Sequence, residues 1–495
     1  MNTGQSGGPR IAILGAGSIS LGPLIINDLL SRAELDGAVL TLMALHEERL
    51  GVVERWAVRA VRQNGLQTVI RATTSRREAL SNADYVFALF DGGGFSAFDS
   101  DYRIATSYGL DICIGDTMGP TGIMKGLRNI AAFEEVAADY RELCPQAPLL
   151  TYVNPMAAVV MAAEALGIRT CVGLCGGIEA TRELIAECLE LAPQQLETQF
   201  AGINHMCWAL RIEHRGRDLY PLFRESMGRA EWRAAEPARA EVLQHFGYIP
   251  TETSGHLSDM LPWFRRDAEA RRRYGTAPGY AGASGIYHRY ASYLQKRLAH
   301  ADYLRFEDGT LVKRSGDYGA SIVTALHGGP SIRVYGNVVN RLQLIRNLPS
   351  YAVVEVPLQV GETGIHGIDV GALPPQLAAL CTTNLPVHQL TVAAALEKDP
   401  ELVAAAVSLD PLTQAVLDLP RARELTAELL AANAGLIPIE LSSGLDPVLP
   451  VGADAPAAPR RSSFPSDGPL AALRRFDWRR RANSPGGSRA ERGRG

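Results

Sequence analysis

The sequence lacks a surplus of basic residues. Its 495 residues include 49 Lys and Arg against 53 Asp and Glu, which gives a formal net charge of −4 at pH 7. Nucleic acids and anionic membrane surfaces are bound by clustered Lys and Arg. The charge balance therefore predicts no nucleic acid and no membrane as a partner, and it favours a small molecule as the ligand.

Long apolar runs, a secretory signal and a cysteine framework are also missing. The apolar run that begins at Ile11 is interrupted by Gly15, Gly17 and Ser18, and no other run is suited to crossing a bilayer. Residues 1–10 are Gly-rich and polar, unlike a signal peptide. The seven Cys are odd in number and irregularly spaced, which argues against a secreted disulfide framework. These absences predict a soluble protein in the reducing cytoplasm.

The pattern that is present is an alternation of strands and helices. Residues 11–14 predict a strand, 15–18 a tight turn, and 21–30 a helix. Further strands, predicted at 39–43, 85–89 and 149–153, are separated by helical patterns. This order is typical of a parallel sheet with crossover connections.

The predicted pattern of secondary structure changes near Gly202. Helical segments such as 287–299 and 401–407 now alternate with β-rich stretches such as 331–339. We expect an α/β fold in which an N-terminal Rossmann-type parallel sheet packs on a C-terminal mixed α+β lobe. The predicted divisions are a flexible N-terminus (1–9), a dinucleotide-binding domain (10–201), a substrate and oligomerisation domain (202–448) and a tail (449–495). The tail is rich in Pro, Ala, Ser, Gly and Arg, which predicts disorder.

The first turn has the composition of a dinucleotide site. Gly15, Gly17 and Ser18 lie between a strand and a helix, where a glycine turn lets the backbone approach a pyrophosphate. The third glycine of the usual fingerprint falls at Ser20, with Gly22 just beyond. An ordinary strand-turn-helix is the plainer interpretation of the same residues.

The end of the second strand departs from the expected pattern. A carboxylate that binds the adenosine ribose is expected there, but the position is occupied by Ala44. Three alternatives stay open: Glu47 or Glu48 substitutes from the next turn, His46 and Arg49 favour the 2′-phosphate of NADP, or the pocket binds nothing tightly.

Eleven short motifs resemble, in order and spacing, those of the family 4 glycoside hydrolases. They are Gly-Ala-Gly-Ser at 15–18, the Gly/Pro-rich segment 115–128, Tyr-Val-Asn-Pro-Met at 152–156, Gly-Leu-Cys at 173–175, Gly-Ile-Asn-His-Met at 202–206, Thr-Ser-Gly-His-Leu-Ser at 253–258, Pro-Trp-Phe-Arg at 262–265, 336–340, 347–349, 354–357 and 373–377. The later motifs are similar to the α-galactosidase, α-glucosidase and α-galacturonidase branch. The resemblance covers roughly residues 10 to 440.

The resemblance implies a redox route to glycoside hydrolysis. In this family, bound NAD removes hydride from carbon 3 of the sugar, a base takes the proton from carbon 2, the aglycone leaves, water adds and the hydride returns. A divalent metal, commonly manganese, polarises the oxygens on carbons 2 and 3. The resemblance also implies a homodimer or homotetramer.

Two residues match the metal ligands of that family. Cys175 and His205 offer a thiolate and an imidazole, which leave coordination positions open for substrate oxygens. On spacing alone, a buried structural Cys and a core His would be the favoured interpretation.

Three further residues match polar positions around the sugar. Asn154, at the end of a strand, and Asn204, beside the candidate ligand, are the expected substrate-binding amides. Asp116 precedes a Gly/Pro loop and is expected near the nicotinamide and the sugar. The plainer interpretation of Asn154 is a turn residue before Pro155. Asn204 and Asp116 could each simply cap a helix.

The catalytic acid and base of the family are altered. The residue after the ligand Cys is Gly176, which cannot donate a proton, so Glu179 or His256 would have to reach in. The family base is a Tyr, and its expected position holds Met260. Tyr248 or Asp259 is the candidate replacement; either would equally suit a structural role.

The leading hypothesis is a glycosidase that acts on an α-linked hexoside or uronide. The alternatives are an NAD(P)-dependent sugar oxidoreductase or epimerase without hydrolysis, and a catalytically silent sugar-binding protein. No phosphate-binding feature stands out, while Arg265, Arg266 and Arg333 could pair with a uronate carboxylate or simply be solvated.

Overall fold

The computed structural model describes residues 8–18, 21–275, 278–298, 309–312 and 315–445. The predicted flexible N-terminus, apart from residues 8 and 9, lies outside the described residues, and so do Ser20 and the whole predicted tail.

Twelve strands in the described part of the chain belong to one sheet. They are β1 Arg10–Leu14, β2 Val39–Met43, β3 Val69–Thr73, β4 Tyr85–Ala88, β5 Leu149–Thr151, β6 Cys171–Gly173, β7 Glu197–Ile203, β8 Met206–His214, β9 Arg217–Asp218, β10 Ile332–Val339, β11 Val353–Gly361 and β12 Gly364–Gly367.

Nineteen α-helices are found in the same described ranges. They are α1 Leu21–Leu30, α2 Glu47–Gln63, α3 Arg76–Leu80, α4 Gly94–Ser107, α5 Gly119–Leu143, α6 Met156–Ala165, α7 Gly177–Cys188, α8 Tyr220–Met227, α9 Ala230–Ala235, α10 Pro237–Phe246, α11 Ser254–Met260, α12 Ala268–Tyr274, α13 Ile286–Leu298, α14 Gly319–Leu326, α15 Pro375–Glu397, α16 Pro400–Leu409, α17 Pro411–Val416, α18 Leu419–Ala432 and α19 Ile439–Ser442.

The first six strands form a parallel sheet in the order β3-β2-β1-β4-β5-β6. Continuous apolar strands such as β4, which is buried along its whole length, suit a sheet that is covered on both faces. This is the doubly wound Rossmann order, so the predicted fold class is confirmed. Ligands of such sheets bind beyond the carboxyl ends of the strands, at the point between β1 and β4 where the order reverses.

The second half of the chain extends the same sheet in an antiparallel sense. Asn337 of β10 pairs with Gly173 of β6, and β11, β7, β8 and β9 follow outward, while β12 pairs with β11. β7 runs through residues 201 and 202, where the sequence predicts the domain boundary. The long helices α5 and α15 pack against each other and cover this junction with α6.

Several helices are capped at their N-terminus by a hydrogen-bonding side chain. Ser75, Thr253, Asp267, Asp399 and Asp418 each accept a backbone N–H in the first turn of the helix that follows. Within the described ranges, none of the helices has the length and apolar character needed to cross a lipid bilayer.

Candidate active site

A cavity of about 800 Å³ opens beyond the carboxyl ends of β1, β2 and β4. The Gly15 turn forms one wall, and the N–H groups of Gly15 and Ala16 both donate to the carbonyl of Met43. Gly15 has φ +89°, and a Cβ there would lie 2.6 Å from the backbone nitrogen of Phe90. The turn can therefore pack against the backbone after β4 only because position 15 has no side chain.

One end of this cavity is neutral or basic where a ribose carboxylate is expected. Ala44, His46 and Arg49 line it, and the charge of the nearby Arg76 is balanced by Glu135 and Asp139. Glu47 begins α2 and is not among the lining residues. Of the three alternatives left open by the sequence, substitution by Glu47 has no support from this geometry.

A second cluster lies where β6, the β7–β8 hairpin and the segment before α11 meet. Sγ of Cys175, a nitrogen of His205 and a carboxylate oxygen of Glu252 lie within 4.8 Å of one another. Sγ of Cys175 donates to Oε1 of Glu252 at 2.9 Å, and the same oxygen lies 3.9 Å from Nε2 of His205.

His205 is held with one ring nitrogen turned to the cluster. It occupies the hairpin turn with φ +62° and is 4% exposed. Oγ1 of Thr117 lies 3.1 Å from Nδ1 of His205 and donates to Oδ1 of Asp116 at 2.8 Å. Burial lowers the pKa of His205 and favours the neutral ring. This ring suits a metal, because neutral imidazole is the form that binds metal ions.

Buried amides that lack partners lie beside this cluster. Nδ2 of Asn154 donates to Oδ2 of Asp116 at 2.9 Å, but Oδ1 of Asn154 has no hydrogen-bond partner among the described residues. Both amide atoms of Asn204 are buried and equally unpartnered there. Buried polar groups are normally satisfied, so these amides are suited to a polar ligand.

Lys125 and Tyr287 connect the cavity with the cluster. Tyr287, on α13, lines the cavity and packs edge-on against Phe98. Nζ of Lys125 donates to Asp91 at 3.1 Å. Lys125 lowers the pKa of the Tyr287 hydroxyl, but burial and Asp116 outweigh this effect, so the pKa lies above its usual value. Burial likewise opposes the charge on Lys125, but Asp91 and Tyr287 hold its pKa above the usual value.

Sequence reasoning missed both of these residues, and it missed Glu252. Lys125 lies inside a motif that supported the resemblance, but no role was assigned to it. Tyr287 comes from a helix about 160 residues further along the chain, so only the tertiary structure brings it to the cavity. Glu252 lies directly before the motif at 253–258, which contains His256, and that adjacency was the available signal.

The candidate bases suggested by the sequence lie elsewhere. Asp259 accepts the backbone N–H groups of Cys113, Ile114 and Gly115 at 2.7–3.1 Å. Tyr248 packs edge-on against Tyr220 in the core beside α8. The structure does not bring these two side chains to the cluster.

The two candidate acids behave differently from each other. Glu179 accepts from the hydroxyl of Tyr318 and pairs with Arg182, so its carboxylate is already engaged. His256 lies beside His205, with 4.8 Å between the ring centroids, and its Nδ1 is 3.8 Å from Glu252. Of the pair, only His256 is part of the cluster.

Comparison with known proteins supports a common origin over most of the chain. A family model described as "Family 4 glycosyl hydrolase" matches residues 10–191, and one for the C-terminal domain of the same family matches residues 200–413. An α-galactosidase of Rhizobium meliloti (strain 1021) is 34% identical over 447 residues, which cover 87% of this chain and 89% of the relative. An α-galactosidase of Bacillus subtilis (strain 168) is 31% identical over 437 residues, which cover 87% of this chain and 99% of that relative.

Solved structures show the same fold. A 6-phospho-α-glucosidase from gut microorganisms, determined in complex with NAD and Mn²⁺, superposes with a TM-score of 0.72. It is 21% identical, and the match covers 87% of this chain and 99% of that one.

Proposed function

Because the chain belongs to the family 4 glycosyl hydrolases, we propose that it hydrolyses an α-linked hexoside by NAD-dependent transient oxidation at carbon 3 of the sugar. One observation carries this proposal. Tyr287 lines the dinucleotide cavity, and its backbone N–H donates to the carbonyl of Cys113 at 3.3 Å, three residues before Asp116, whose carboxylate lies within 4.8 Å of His205. A redox cofactor and a metal would therefore meet at one sugar.

The residues present fit both groups. The cavity beside the Gly15 turn suits a dinucleotide, and the thiol and imidazole of Cys175 and His205 are donors that suit a divalent metal cation. When bound, the nicotinamide takes hydride from carbon 3 and returns it, and the cation polarises the oxygens on carbons 2 and 3.

The chain's own side chains then position the sugar and move its protons. Asn154 and Asn204 supply the unpartnered amide atoms that bind sugar hydroxyls. Tyr287 takes the proton from carbon 2 with Lys125 nearby to stabilise its phenolate. His256 donates a proton to the leaving group, because Gly176 has no side chain that could do so.

A neutral hexoside is favoured over a uronide. Arg265, a candidate partner for a uronate, is 1% exposed and pairs with Asp111 at 2.7 Å and Asp259 at 3.3 Å. Its charge is therefore already compensated within the fold. The relatives named α-galactosidase make an α-galactoside the first substrate to test.

The decisive experiment follows two signals at once. Purified protein with Mn²⁺, reductant and NAD is assayed against aryl α- and β-hexosides and uronides, while phenol release and NADH absorbance are recorded. Phenol release that requires NAD and stops with chelator supports the proposal. NADH without phenol would instead identify a sugar oxidoreductase, and sugar binding without either signal would identify a silent sugar-binding protein.

We further propose that residues 10–201 bind the dinucleotide, that residues 202–448 form the substrate and oligomer side, and that the chain works in the cytoplasm as a homodimer or homotetramer. Seven free cysteines are compatible with a reducing compartment. Light scattering after gel filtration tests the assembly, and a mass of 53.3 kDa would contradict it.

A further inference from the structure

We infer that Glu252 is a third protein ligand of the divalent cation, and that Gly177 provides the space in which its carboxylate lies. This inference rests on the proposed function, since it assumes that a cation binds at Cys175 and His205. It goes further because it adds a ligand that the two matched motif positions do not include.

The geometry of the three donor atoms carries the first step. Oε1 of Glu252 faces both other donors, at 2.9 Å from Sγ of Cys175 and 3.9 Å from Nε2 of His205. Bonds of about 2.1 Å to an octahedral cation place neighbouring ligands about 3 Å apart and opposite ones about 4.2 Å apart. Both separations from Oε1 fall in this range, and Sγ of Cys175 lies within 4.8 Å of the His205 nitrogen, so the three atoms are close enough together to bind one cation.

The diglycine after Cys175 carries the second step. A Cβ atom on Gly177 would lie 2.0 Å from Oε1 and 2.7 Å from Cδ of Glu252, so any other residue would displace the carboxylate. A Cβ on Gly176 would meet nothing within 4 Å. Gly176 has φ −79°, which any residue adopts, so its backbone does not require glycine either. Glycine is therefore needed at position 177 to leave space for the Glu252 carboxylate, whereas position 176 could hold a side chain.

The chemistry of the donor set carries the third step. A thiolate and an imidazole alone would favour a soft or borderline cation, whereas a carboxylate is the donor that suits Mn²⁺. One thiolate and one carboxylate together balance a charge of +2. The site largely excludes water, since the Glu252 side chain is only 14% exposed. Three protein donors still leave positions for two sugar oxygens.

The test measures Mn²⁺ binding in the absence of NAD and sugar. The electron paramagnetic resonance signal of unbound Mn²⁺ reports how much of the ion remains free. Glu252→Gln and Gly177→Ala should each raise the dissociation constant for Mn²⁺ at least about tenfold, since even indirect support of a metal ligand is worth that much. Gly176→Ala is the matched control and should leave the dissociation constant unchanged. Circular dichroism verifies that each variant is folded.

The outcomes separate the inference from the proposed function. Wild-type affinity for Mn²⁺ in both Glu252→Gln and Gly177→Ala would overturn the ligand assignment, even if NAD-dependent hydrolysis were observed. Loss of affinity in these two variants, with Gly176→Ala unchanged, supports the assignment even if the wild-type protein released no phenol. If Glu252→Gln binds Mn²⁺ normally and only Gly177→Ala does not, the assignment also fails, because the glycine then acts on Cys175 alone.

Discussion

The hydroxyl of Thr117 lies 3.1 Å from Nδ1 of His205 and is the contact that fixes which ring nitrogen faces the cation site. Thr117 donates its single hydrogen to Asp116, whose ionised carboxylate can only accept. Nδ1 of His205 therefore carries the ring proton and donates it to Thr117. The lone pair of Nε2 is left for the metal.

Replacing this hydroxyl should weaken the site without removing a ligand. Thr117→Val keeps the volume but releases His205, and we expect Mn²⁺ affinity to fall by about 10- to 100-fold. Thr117→Ser restores the hydroxyl and should recover most of the affinity. Equal affinities in the Val and Ser variants, measured by titration calorimetry, would show that the ring is held in some other way.

Removing a ligand should weaken metal binding and leave the fold intact. Cys175→Ser replaces the thiolate with a neutral hydroxyl and His205→Ala deletes the imidazole, so both should bind Mn²⁺ less tightly while their circular dichroism spectra match wild type. Unchanged manganese affinity in both variants would end the assignment of these residues as ligands.

Restoring a carboxylate should change dinucleotide preference. Ala44→Asp offers an acceptor to the ribose hydroxyls, and a charged hydrogen bond worth about 1.5 kcal/mol would shift the NAD-to-NADP affinity ratio about tenfold toward NAD. Glu47→Gln is the control, because Glu47 does not line the cavity and its loss should leave the ratio unchanged. Fluorescence titration of both dinucleotides measures the ratio; an unaltered value for Ala44→Asp would mean that the adenosine is held differently.

Loss of the proposed base should slow one proton transfer. Tyr287→Phe removes the hydroxyl, and we expect kcat to fall by about 10²- to 10⁴-fold, the usual contribution of a general base. Mn²⁺ affinity should be retained. Exchange of the carbon 2 hydrogen in deuterated water should stop in Tyr287→Phe and persist in Tyr290→Phe, whose side chain is 42% exposed. Exchange at the wild-type rate in Tyr287→Phe would assign the base elsewhere.

A buried carboxyl should make stability depend on pH. Burial, assisted by the carboxylate of Glu252, raises the pKa of Glu355 from 4.5 to about 8, while Asn337 opposes the shift. The folded state then binds a proton more tightly than the unfolded state, so this stabilisation is complete below pH 4.5 and is lost as pH rises through about 8.

Glu355→Gln keeps the hydrogen bond from Asn337 and removes the titration. Urea unfolding with chelator present should therefore show a flatter dependence on pH between about 5 and 9 in this variant than in wild type. Parallel pH profiles for the two proteins would show that Glu355 does not titrate in this range.

The sequence predicted the parallel half of the fold well because its signals are local. The strands predicted at 11–14 and 39–43 lie within a residue of β1 and β2, and the predicted helix 401–407 corresponds to α16. The continuation of the sheet through β10 and β7 was not predicted, because antiparallel pairing between Asn337 and Gly173 joins residues 164 positions apart. Periodicity carries no information about such distant partners.

The site was predicted in part for the same reason. Cys175, His205, Asn154 and Asp116 lie in motifs, and the structure brings their side chains close to one another. Glu252 and Tyr287 approach only through tertiary packing. Asp259 had the right chemistry at the right place in the sequence, but three backbone N–H groups already occupy its oxygens.

The continuous sheet also limits how this chain can be recombined with its relatives. β10 belongs to the second half of the sequence but lies hydrogen-bonded beside β6, two residues before Cys175. A chimera that joined the first half of one relative to the second half of another would have to preserve the pairing of Gly173 with Asn337, or the Cys175 thiol would shift relative to His205. The join between the two halves is therefore a structural element of the metal cluster and not a neutral linker.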